Sequence, residues 1–272
     1  MAGESEQNAL RLEKALVELT AHRRRENAHP AFGGGGDGEV WEALRRIDLS
    51  QKQSDRSRLV SYSRVDRAYM QFDMLRTRLQ QAFAERGWRR VAVTSPSKGC
   101  GKSFVAANLA LSLARQKGRR VALVDMDLRE PSLAPLLGVR GVGSIEAWFD
   151  GLVALEDHFC RLGGSRMALG LNVARLVSPS ETLQDVTTIR ALREMEARLD
   201  PEVVIYDTPP MLVFDDLMTL LPQVDCVLMV AGGGVTKASD LRRCAKLLED
   251  RAPILGIALN RAEEPSQGGY SY

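Results

Sequence analysis

The stretch VAVTSPSKGCGKS, from Val91 to Ser103, constrains the fold of this chain more than any other. Its apolar, β-branched beginning predicts a buried strand, and the residues from Phe104 to Arg115 predict a helix. A glycine-bearing loop that ends in Gly-Lys-Ser joins the two, which is the pattern of a phosphate-binding loop. In such a loop, successive backbone N–H groups and a helix N-terminus point towards phosphate oxygens.

Individual residues of this loop predict how it holds a nucleotide. We expect Lys102 to neutralise the β- and γ-phosphates and the Ser103 hydroxyl to bind Mg²⁺. The usual pattern has glycine at position 96, where this chain has Pro96, so the loop is a variant. Further nucleotide contacts are expected from Lys98, Gly99, Cys100, Gly101 and Phe104.

Two segments that carry aspartates follow other predicted strands. Asp207 follows four apolar residues, and a carboxylate at such a place predicts a ligand that holds Mg²⁺ through water. Asp125 and Asp127 lie two residues apart, so an extended backbone directs both towards the same side. Both are candidate catalytic residues, for binding metal or accepting the proton of an incoming hydroxyl, and Asp127 is also a candidate metal ligand. The alternative is a solvated acidic turn balanced by Arg129.

Three further places carry candidate functional side chains. Asn260 and Arg261 end the last predicted strand, where an asparagine either recognises an adenine edge or forms a turn. Asp216 either orients a water or a neighbouring group, or caps a helix. Tyr270 and Tyr272 lie in a glycine-flanked C-terminal segment, where they are either accessible phosphoacceptors or part of an arbitrary terminus.

Short β-rich runs alternate with helical patterns, which predicts an α/β fold: a doubly wound, mainly parallel sheet with helices on both faces. Ligands of such sheets bind beyond the carboxyl ends of the strands, where the aspartates and the phosphate-binding loop are expected to lie. The further predicted strands cover residues 121–124, 171–174, 203–206, 226–230 and 254–259. The further predicted helices cover residues 65–86, 133–137, 145–149, 187–199 and 237–251.

The chain divides into four predicted regions. Residues 1–28 carry leucines at helical spacing and predict an amphipathic helix, which is either solvated or docked on a partner. Residues 29–64 predict a flexible linker, loosely ordered apart from a short helix near Trp41 to Ile47. Residues 65–263 predict the nucleotide-binding domain, and residues 264–272 predict a flexible tail.

Composition argues against several other classes of protein. The net charge of +2, from 37 basic and 35 acidic residues, gives no indication of a nucleic-acid partner. The four cysteines show no CxxC or Cys/His spacing, which indicates a reducing compartment. No apolar run approaches the roughly 20 residues that span a bilayer, and MAGESEQN lacks the pattern of a signal peptide. We therefore expect a soluble, cytoplasmic protein that reaches the inner membrane only through a partner.

These motifs, in this order, resemble those of the bacterial tyrosine kinases (BY-kinases) that accompany capsule and exopolysaccharide export. VALVDMDLREPSLAPLLGV resembles the family's Walker A′ motif, VVIYDTPPMLVFDDL resembles its Walker B motif, and the ending ILGIALNR also fits. The resemblance covers roughly residues 69 to 261 and implies an ATP-dependent and Mg²⁺-dependent autokinase. It implies nucleotide, metal and catalytic roles for Lys102, Ser103, Asp125, Asp127 and Asp207.

The resemblance also implies partners. A neighbouring subunit would phosphorylate the C-terminal tyrosines, so the chain would self-associate as a dimer or a higher homo-oligomer. A separate membrane chain, a polysaccharide co-polymerase, would act as the activator. In the family's E-x-x-R-x-x-R assembly motif, the register here gives Met70, Asp73 and Arg76, of which only the arginine matches.

The phosphate-binding loop departs from that family and leaves alternatives open. It reads Lys-Gly-Cys-Gly-Lys from Lys98, where the family has Pro-Gly-Glu-Gly-Lys. Lys98 resembles the second lysine of partitioning and division-site ATPases, which reaches the nucleotide of a partner subunit. The alternatives to a kinase are therefore a dimeric ATPase switch and a nucleotide-binding scaffold for a membrane polysaccharide export complex.

Overall fold

The structure, a computed structural model, describes residues 37–59 and 67–262. The predicted N-terminal helix and the tail with Tyr270 and Tyr272 lie outside these residues. Within the described ranges, every helix is too short or too polar to cross a membrane.

An eight-stranded sheet forms the centre of the described part, in the order β1-β4-β5-β3-β6-β2-β7-β8. Neighbouring strands run parallel except β4 and β5, which form an antiparallel pair. The predicted α/β fold with a mainly parallel sheet is therefore confirmed. The strands are β1 (Arg45–Ile47), β2 (Arg90–Thr94), β3 (Arg120–Asp125), β4 (Cys160–Leu162), β5 (Arg166–Gly170), β6 (Val203–Asp207), β7 (Cys226–Gly232) and β8 (Ile254–Asn260).

Helices cover both faces of the sheet, and each face has its own hydrophobic cluster. Because side chains alternate along a strand, Val91 and Val93 of β2 enter one cluster while Ala92 enters the other. The helices are α1 (Asp37–Ala43), α2 (Gln51–Arg56), α3 (Arg67–Arg86), α4 (Lys102–Ala114), α5 (Leu133–Leu137), α6 (Ile145–Phe149), α7 (Leu155–His158), α8 (Pro179–Gln184), α9 (Val186–Leu199), α10 (Asp216–Leu220) and α11 (Ala238–Leu248). Most predicted strands and helices are confirmed, with ends that differ by at most three residues.

The strand predicted at residues 171–174 is wrong. The strand is β5, which ends at Gly170, and the short strand β4 before it was not predicted. Asn172 explains the early end, because its side chain binds local backbone in place of a neighbouring strand. Its amide nitrogen donates to the carbonyl of Ala174 at 2.8 Å, and its oxygen accepts from the N–H of Ala174 at 3.0 Å.

Residues 37–59 are more ordered than the prediction of a loose linker. The predicted helix from Trp41 to Ile47 is replaced by α1, which ends at Ala43, and by β1, which pairs with β4. The Trp41 side chain is 1% exposed, and its indole N–H donates to the carbonyl of Leu199 at 3.1 Å. This segment therefore extends the sheet and the core.

The helix before the phosphate-binding loop, α3, packs along α4 through polar as well as apolar contacts. Asp73 accepts a hydrogen bond from the Ser112 hydroxyl at 2.9 Å and pairs with Arg115. Arg76 donates to the carbonyl of Ser112 at 3.0 Å. The two polar residues at the register of the assembly motif thus bind within their own chain.

The strand register brings the predicted site together. Asp125 of β3 lies opposite Asp207 of β6, and Val93 of β2 lies on the other side of Asp207. Strands β2, β3 and β6 therefore end at one edge of the sheet, and the loops that follow them meet there.

Replacing Trp41 tests whether residues 37–59 belong to the fold. Trp41→Ala removes a fully buried ring and one hydrogen bond, so we expect the free energy of unfolding to fall by about 3–5 kcal/mol. Denaturant unfolding followed by circular dichroism measures this. The control, Val177→Ala, changes a side chain that is 99% exposed, and we expect it to stay within about 0.5 kcal/mol of the parent. Equal stability of the two variants would contradict the assignment.

Candidate nucleotide site

The phosphate-binding loop connects β2 to α4 and requires glycine at two positions. Gly99 and Gly101 have φ of +80° and +86°, in the left-handed region that side chains disfavour. A Cβ at Gly101 would lie 2.1 Å from the Asn260 amide nitrogen, so any side chain there would displace the Asn260 amide. Gly101 is the residue before α4, so the loop delivers the chain directly into the helix N-terminus.

Lys102 lies among Asp125, Asp127 and Asp207. Its ammonium is 2.7 Å from Oδ2 of Asp127, and its side chain is 14% exposed. Burial alone would lower the pKa of Lys102, but the surrounding carboxylates, with Asp207 contributing most, raise it above its ordinary value. Lys102 therefore stays charged and available to phosphate oxygens.

Asp125 holds backbone rather than facing the phosphates freely. Its carboxylate accepts from the N–H groups of Asp127, Ser132 and Leu133 at 3.1–3.2 Å. Burial and the charge of Asp207 raise the pKa of Asp125 well above its usual range. The geometry supports Asp125 as the residue that shapes the loop carrying Asp127.

Asp207 and Ser103 form the part of the site that fits a divalent cation. Both oxygens of Asp207 are buried and accept no hydrogen bond of ordinary geometry from the described residues. Burial raises the pKa of Asp207 to about 6, although Lys102 and the neighbouring Ser103 hydroxyl lower it. A buried carboxylate that lacks a hydrogen bond of ordinary geometry, beside a hydroxyl, is a ligand set that suits Mg²⁺ with phosphate oxygens and water.

The segment after Asp127 adds residues that the motifs did not single out. The Ser132 hydroxyl donates to the Ser103 hydroxyl at 2.7 Å and so orients it. Glu130 binds the Lys98 ammonium at 2.5 Å, and each of these side chains is nearly half exposed. Lys98 is thus held within its own chain in this structure. The only sequence signal for Ser132 and Glu130 is their place directly after Asp127.

Asn260, Phe104 and Arg261, the remaining predicted nucleotide contacts, have partners within the protein. The Asn260 amide donates to the carbonyl of Cys100 at 2.9 Å, so the structure gives it a partner in the loop, and its predicted contact with adenine stays a prediction. The Phe104 ring packs edge-on against Phe72, with centroids 5.9 Å apart. The carbonyl of Arg261 packs against Gly233. No nucleotide contact of Phe104 or Arg261 follows from these placements.

Cys100 is a buried residue within the loop. Its thiol lies 3.3 Å from the Thr236 hydroxyl and donates to the carbonyl of Ser97 at 3.2 Å. Burial would raise the pKa of this thiol, but hydrogen bonds from Thr236 and Ser97 hold it below its ordinary value. The thiol therefore links the loop to Thr236, which follows β7.

Asp216 does not cap its helix. Asp215 occupies the N-cap position of α10, and neither its side chain nor another makes a capping bond there. Instead, Asp216 pairs with Arg129, with its carboxylate 2.7 Å from Nε. The arginine therefore balances Asp216 rather than Asp125 and Asp127.

A family model matches the part of the chain that carries this site. Residues 88–263 match the model named ParA, whose description is NUBPL iron-transfer P-loop NTPase. The chain belongs to the ParA family of P-loop NTPases. Membership of this family implies that the site takes a nucleotide with a divalent metal.

Curated relatives of this ParA-family chain are named as kinases. EpsB of Ralstonia nicotianae, named as a tyrosine-protein kinase, is 32% identical over 202 residues, which are 73% of this chain and 26% of EpsB. Tyrosine-protein kinase YwqD of Bacillus subtilis is 26% identical over 205 residues, 74% of this chain and 84% of YwqD. The chain thus spans about a quarter of EpsB but most of YwqD.

Solved structures extend the comparison. The kinase domain of the Escherichia coli tyrosine kinase ETK is 26% identical with a TM-score of 0.70, and the match covers 84% of this chain and 92% of that domain. MinD of Pyrococcus horikoshii, solved with Mg-ADP, shares the fold at 21% identity and a TM-score of 0.54, over 65% of this chain and 72% of MinD. The resemblance to the bacterial tyrosine kinases is confirmed.

The buried Asp207 carboxylate is expected to lower the stability of the nucleotide-free protein while it supports metal binding. Its pKa is raised from 3.8 to about 6, so the ionised form weakens the fold above that pH and the penalty fades as the pH falls towards 4. At pH 7.5 we expect Asp207→Asn to stabilise the nucleotide-free protein by about 1–3 kcal/mol. The gain should shrink below pH 6.

Two measurements check these two effects. Thermal unfolding of both proteins from pH 4.5 to 8 gives the stability difference, and titration with a fluorescent ADP, with and without Mg²⁺, gives the metal dependence. Asp207→Asn should lose most of the Mg²⁺ enhancement of binding. A variant that is less stable at pH 7.5, or that keeps the full enhancement, would contradict this account of Asp207.

Proposed function

We propose that this chain is an ATP- and Mg²⁺-dependent protein tyrosine autokinase that regulates the synthesis and export of an exopolysaccharide or capsule. The contact of Lys102 with Asp127 at 2.7 Å, beside the unpartnered Asp207, is the observation that carries it. This arrangement places a cation for phosphate oxygens next to a carboxylate that can accept a proton. The kinase names of the relatives support tyrosine as the acceptor.

The chemistry follows from a competition for Lys102. When a nucleotide is bound, Lys102 donates to phosphate oxygens and releases Oδ2 of Asp127. Asp127, still fixed through Oδ1 by the N–H of Glu130 at 2.9 Å, then accepts the proton of a tyrosine hydroxyl at Oδ2. When bound, Mg²⁺ neutralises charge on the phosphate oxygens, and Ser103 and Asp207 would hold it.

Similar solved proteins support the proposed partners. Similar solved proteins include the chimerical protein CapA2B2 and a MinC:MinD complex. We propose that this chain self-associates, with the Tyr270 and Tyr272 segment of one subunit as substrate of the next. A membrane polysaccharide co-polymerase is the proposed activator and would bring the cytoplasmic chain to the inner membrane. No nucleic acid enters this proposal.

A dimeric ATPase switch is the second candidate function, and the likeness to MinD together with Lys98 favours it. The Lys98 side chain is 49% exposed, and its pairing with Glu130 lies at the protein surface. Such exposed pairs contribute at most about 1 kcal/mol, so a partner's phosphate could displace Glu130 at little cost.

Phosphate mapping separates the candidates. Purified chain is incubated with ATP and Mg²⁺, with and without the cytoplasmic segment of the membrane partner, and phosphotyrosine is located by mass spectrometry. We expect label on Tyr270 or Tyr272, lost in Lys102→Ala because the phosphates lose their cation. The control Lys117→Ala changes an exposed lysine outside the site and should keep the label. Phosphate release without label would support the switch, and neither activity would support the scaffold.

Sedimentation velocity tests the role of Lys98. If Lys98 reaches a partner's nucleotide, Lys98→Ala abolishes ATP-dependent dimerisation and leaves ATP affinity within about threefold, since Lys102 still holds the phosphates. Lys117→Ala again serves as the matched control and should dimerise like the parent. An ATP-dependent dimer that survives in Lys98→Ala would contradict the role across the interface.

A further inference from the structure

An ion pair joins two loops beside the nucleotide site without reaching the residues that would contact the nucleotide. The Asp216 side chain is 1% exposed and accepts from Nε and Nη2 of Arg129 at 2.7 and 2.9 Å. A bidentate contact between guanidinium and carboxylate fixes direction as well as distance. Arg129 lies in the loop after β3, and Asp216 begins α10, which follows β6, so the pair links the segments after two neighbouring strands.

Further contacts hold the Arg129 guanidinium in place. Its Nη2 donates to the Ser180 hydroxyl at 3.2 Å, and that hydroxyl donates to Asp216 at 2.8 Å. Its central carbon lies 4.4 Å from the centroid of the Phe214 ring, within the range of a cation–π contact. A side chain held from three directions can transmit the position of one loop to the other.

The backbone of Arg129 belongs to the turn that presents Asp127. Oδ1 of Asp127 accepts from the N–H of Glu130 at 2.9 Å, which closes the turn around Arg129, while Oδ2 contacts Lys102. A displacement of Arg129 therefore moves the carboxylate that faces Lys102.

The loop after β6 is in turn tied to the phosphate-binding loop. The N–H of Met211 donates to the carbonyl of Ser95 at 2.9 Å, and that of Leu212 donates to the carbonyl of Pro96 at 3.3 Å. The chain of contacts thus runs from the loop that carries Asp127, through the ion pair, to the loop that carries Lys102.

We infer that Arg129 and Asp216 are positioning residues, which hold the Asp127 carboxylate beside Lys102 in the nucleotide-free protein and keep it in place as proton acceptor when phosphate is transferred. The inference rests on the proposed function only in taking Asp127 as the proton acceptor. An ordinary surface salt bridge would behave differently: its loss would change the free energy of unfolding slightly and leave turnover unchanged.

Steady-state turnover of the full chain, followed as ADP formation, tests the inference. Arg129→Ala should lower kcat by about 10- to 100-fold, as expected when a catalytic group is misplaced by about 1 Å. The Kd for fluorescent Mg-ADP should change by less than about threefold, because the phosphate contacts remain. Arg129→Lys keeps the charge but loses the fork, so it should stay impaired although it folds.

The matched control is Arg198→Ala, which removes a comparable guanidinium contact, with Glu156, away from the site. It should leave kcat unchanged. Combining Arg129→Ala with Asp127→Asn should add no loss beyond Asp127→Asn alone, because Arg129 acts through Asp127. Three outcomes would overturn the inference. The first is a double variant whose loss of kcat equals the product of the two single losses, and the second is an equal loss of kcat in Arg198→Ala. The third is a Kd that rises by the same factor as kcat falls.

A second readout requires no turnover. In the nucleotide-free protein, reductive methylation of Lys102 followed by mass spectrometry should be faster in Arg129→Ala, because Asp127 then shields the ammonium less. An unchanged rate, with Lys117 as the internal reference, would overturn the inference. ADP formation counts transfer to tyrosine and to water alike, so an absence of phosphotyrosine would sink the proposed kinase activity and leave this test intact.

Discussion

A single buried ammonium facing three carboxylates is the constraint on which the site depends. Asp125, Asp127 and Asp207 are at most 2% exposed, and Lys102 is the cation among them. Burial raises the pKa values of Asp125 and Asp207, neighbouring carboxylates raise them further, and the single positive charge of Lys102 does not offset these effects. Bound phosphates alone would make the excess worse, so nucleotide binding and divalent-cation binding are electrostatically coupled at this site.

The sheet imposes this cluster through strand order rather than through sequence neighbourhood. The parallel register sets Asp125 opposite Asp207. Backbone hydrogen bonds continue the strand pairing past the strand ends. The N–H of Met126 donates to the carbonyl of Asp207 at 2.8 Å, and the N–H of Thr208 donates to the carbonyl of Val93 at 3.0 Å. A slip of one residue would turn either aspartate to the opposite face, so burial of the core and assembly of the site specify the same register.

Sequence periodicity predicted the regular elements and the edge of the sheet where the site lies, because both follow from alternation of apolar residues. It could not predict which partner each polar side chain takes. The role of Asp125 depends on backbone donors of Ser132 and Leu133, and that of Asn260 on the approach of Cys100, which are contacts set by tertiary packing. The order of residues 37–59 was missed because their few apolar side chains pack on distant elements.

The proline of the variant loop is accommodated by the same geometry. Gly99 and Gly101 occupy the two positions of the loop that need a positive φ, and a Cβ at Gly101 would also displace the Asn260 amide. Pro96 is not among the residues with positive φ, and its carbonyl accepts from the N–H of Leu212. Position 96 thus contributes only its backbone carbonyl, which every residue possesses. A proline there also restricts the conformations of the unfolded loop. The loop thus keeps glycine where its backbone has a positive φ, despite the departure from the usual motif at position 96.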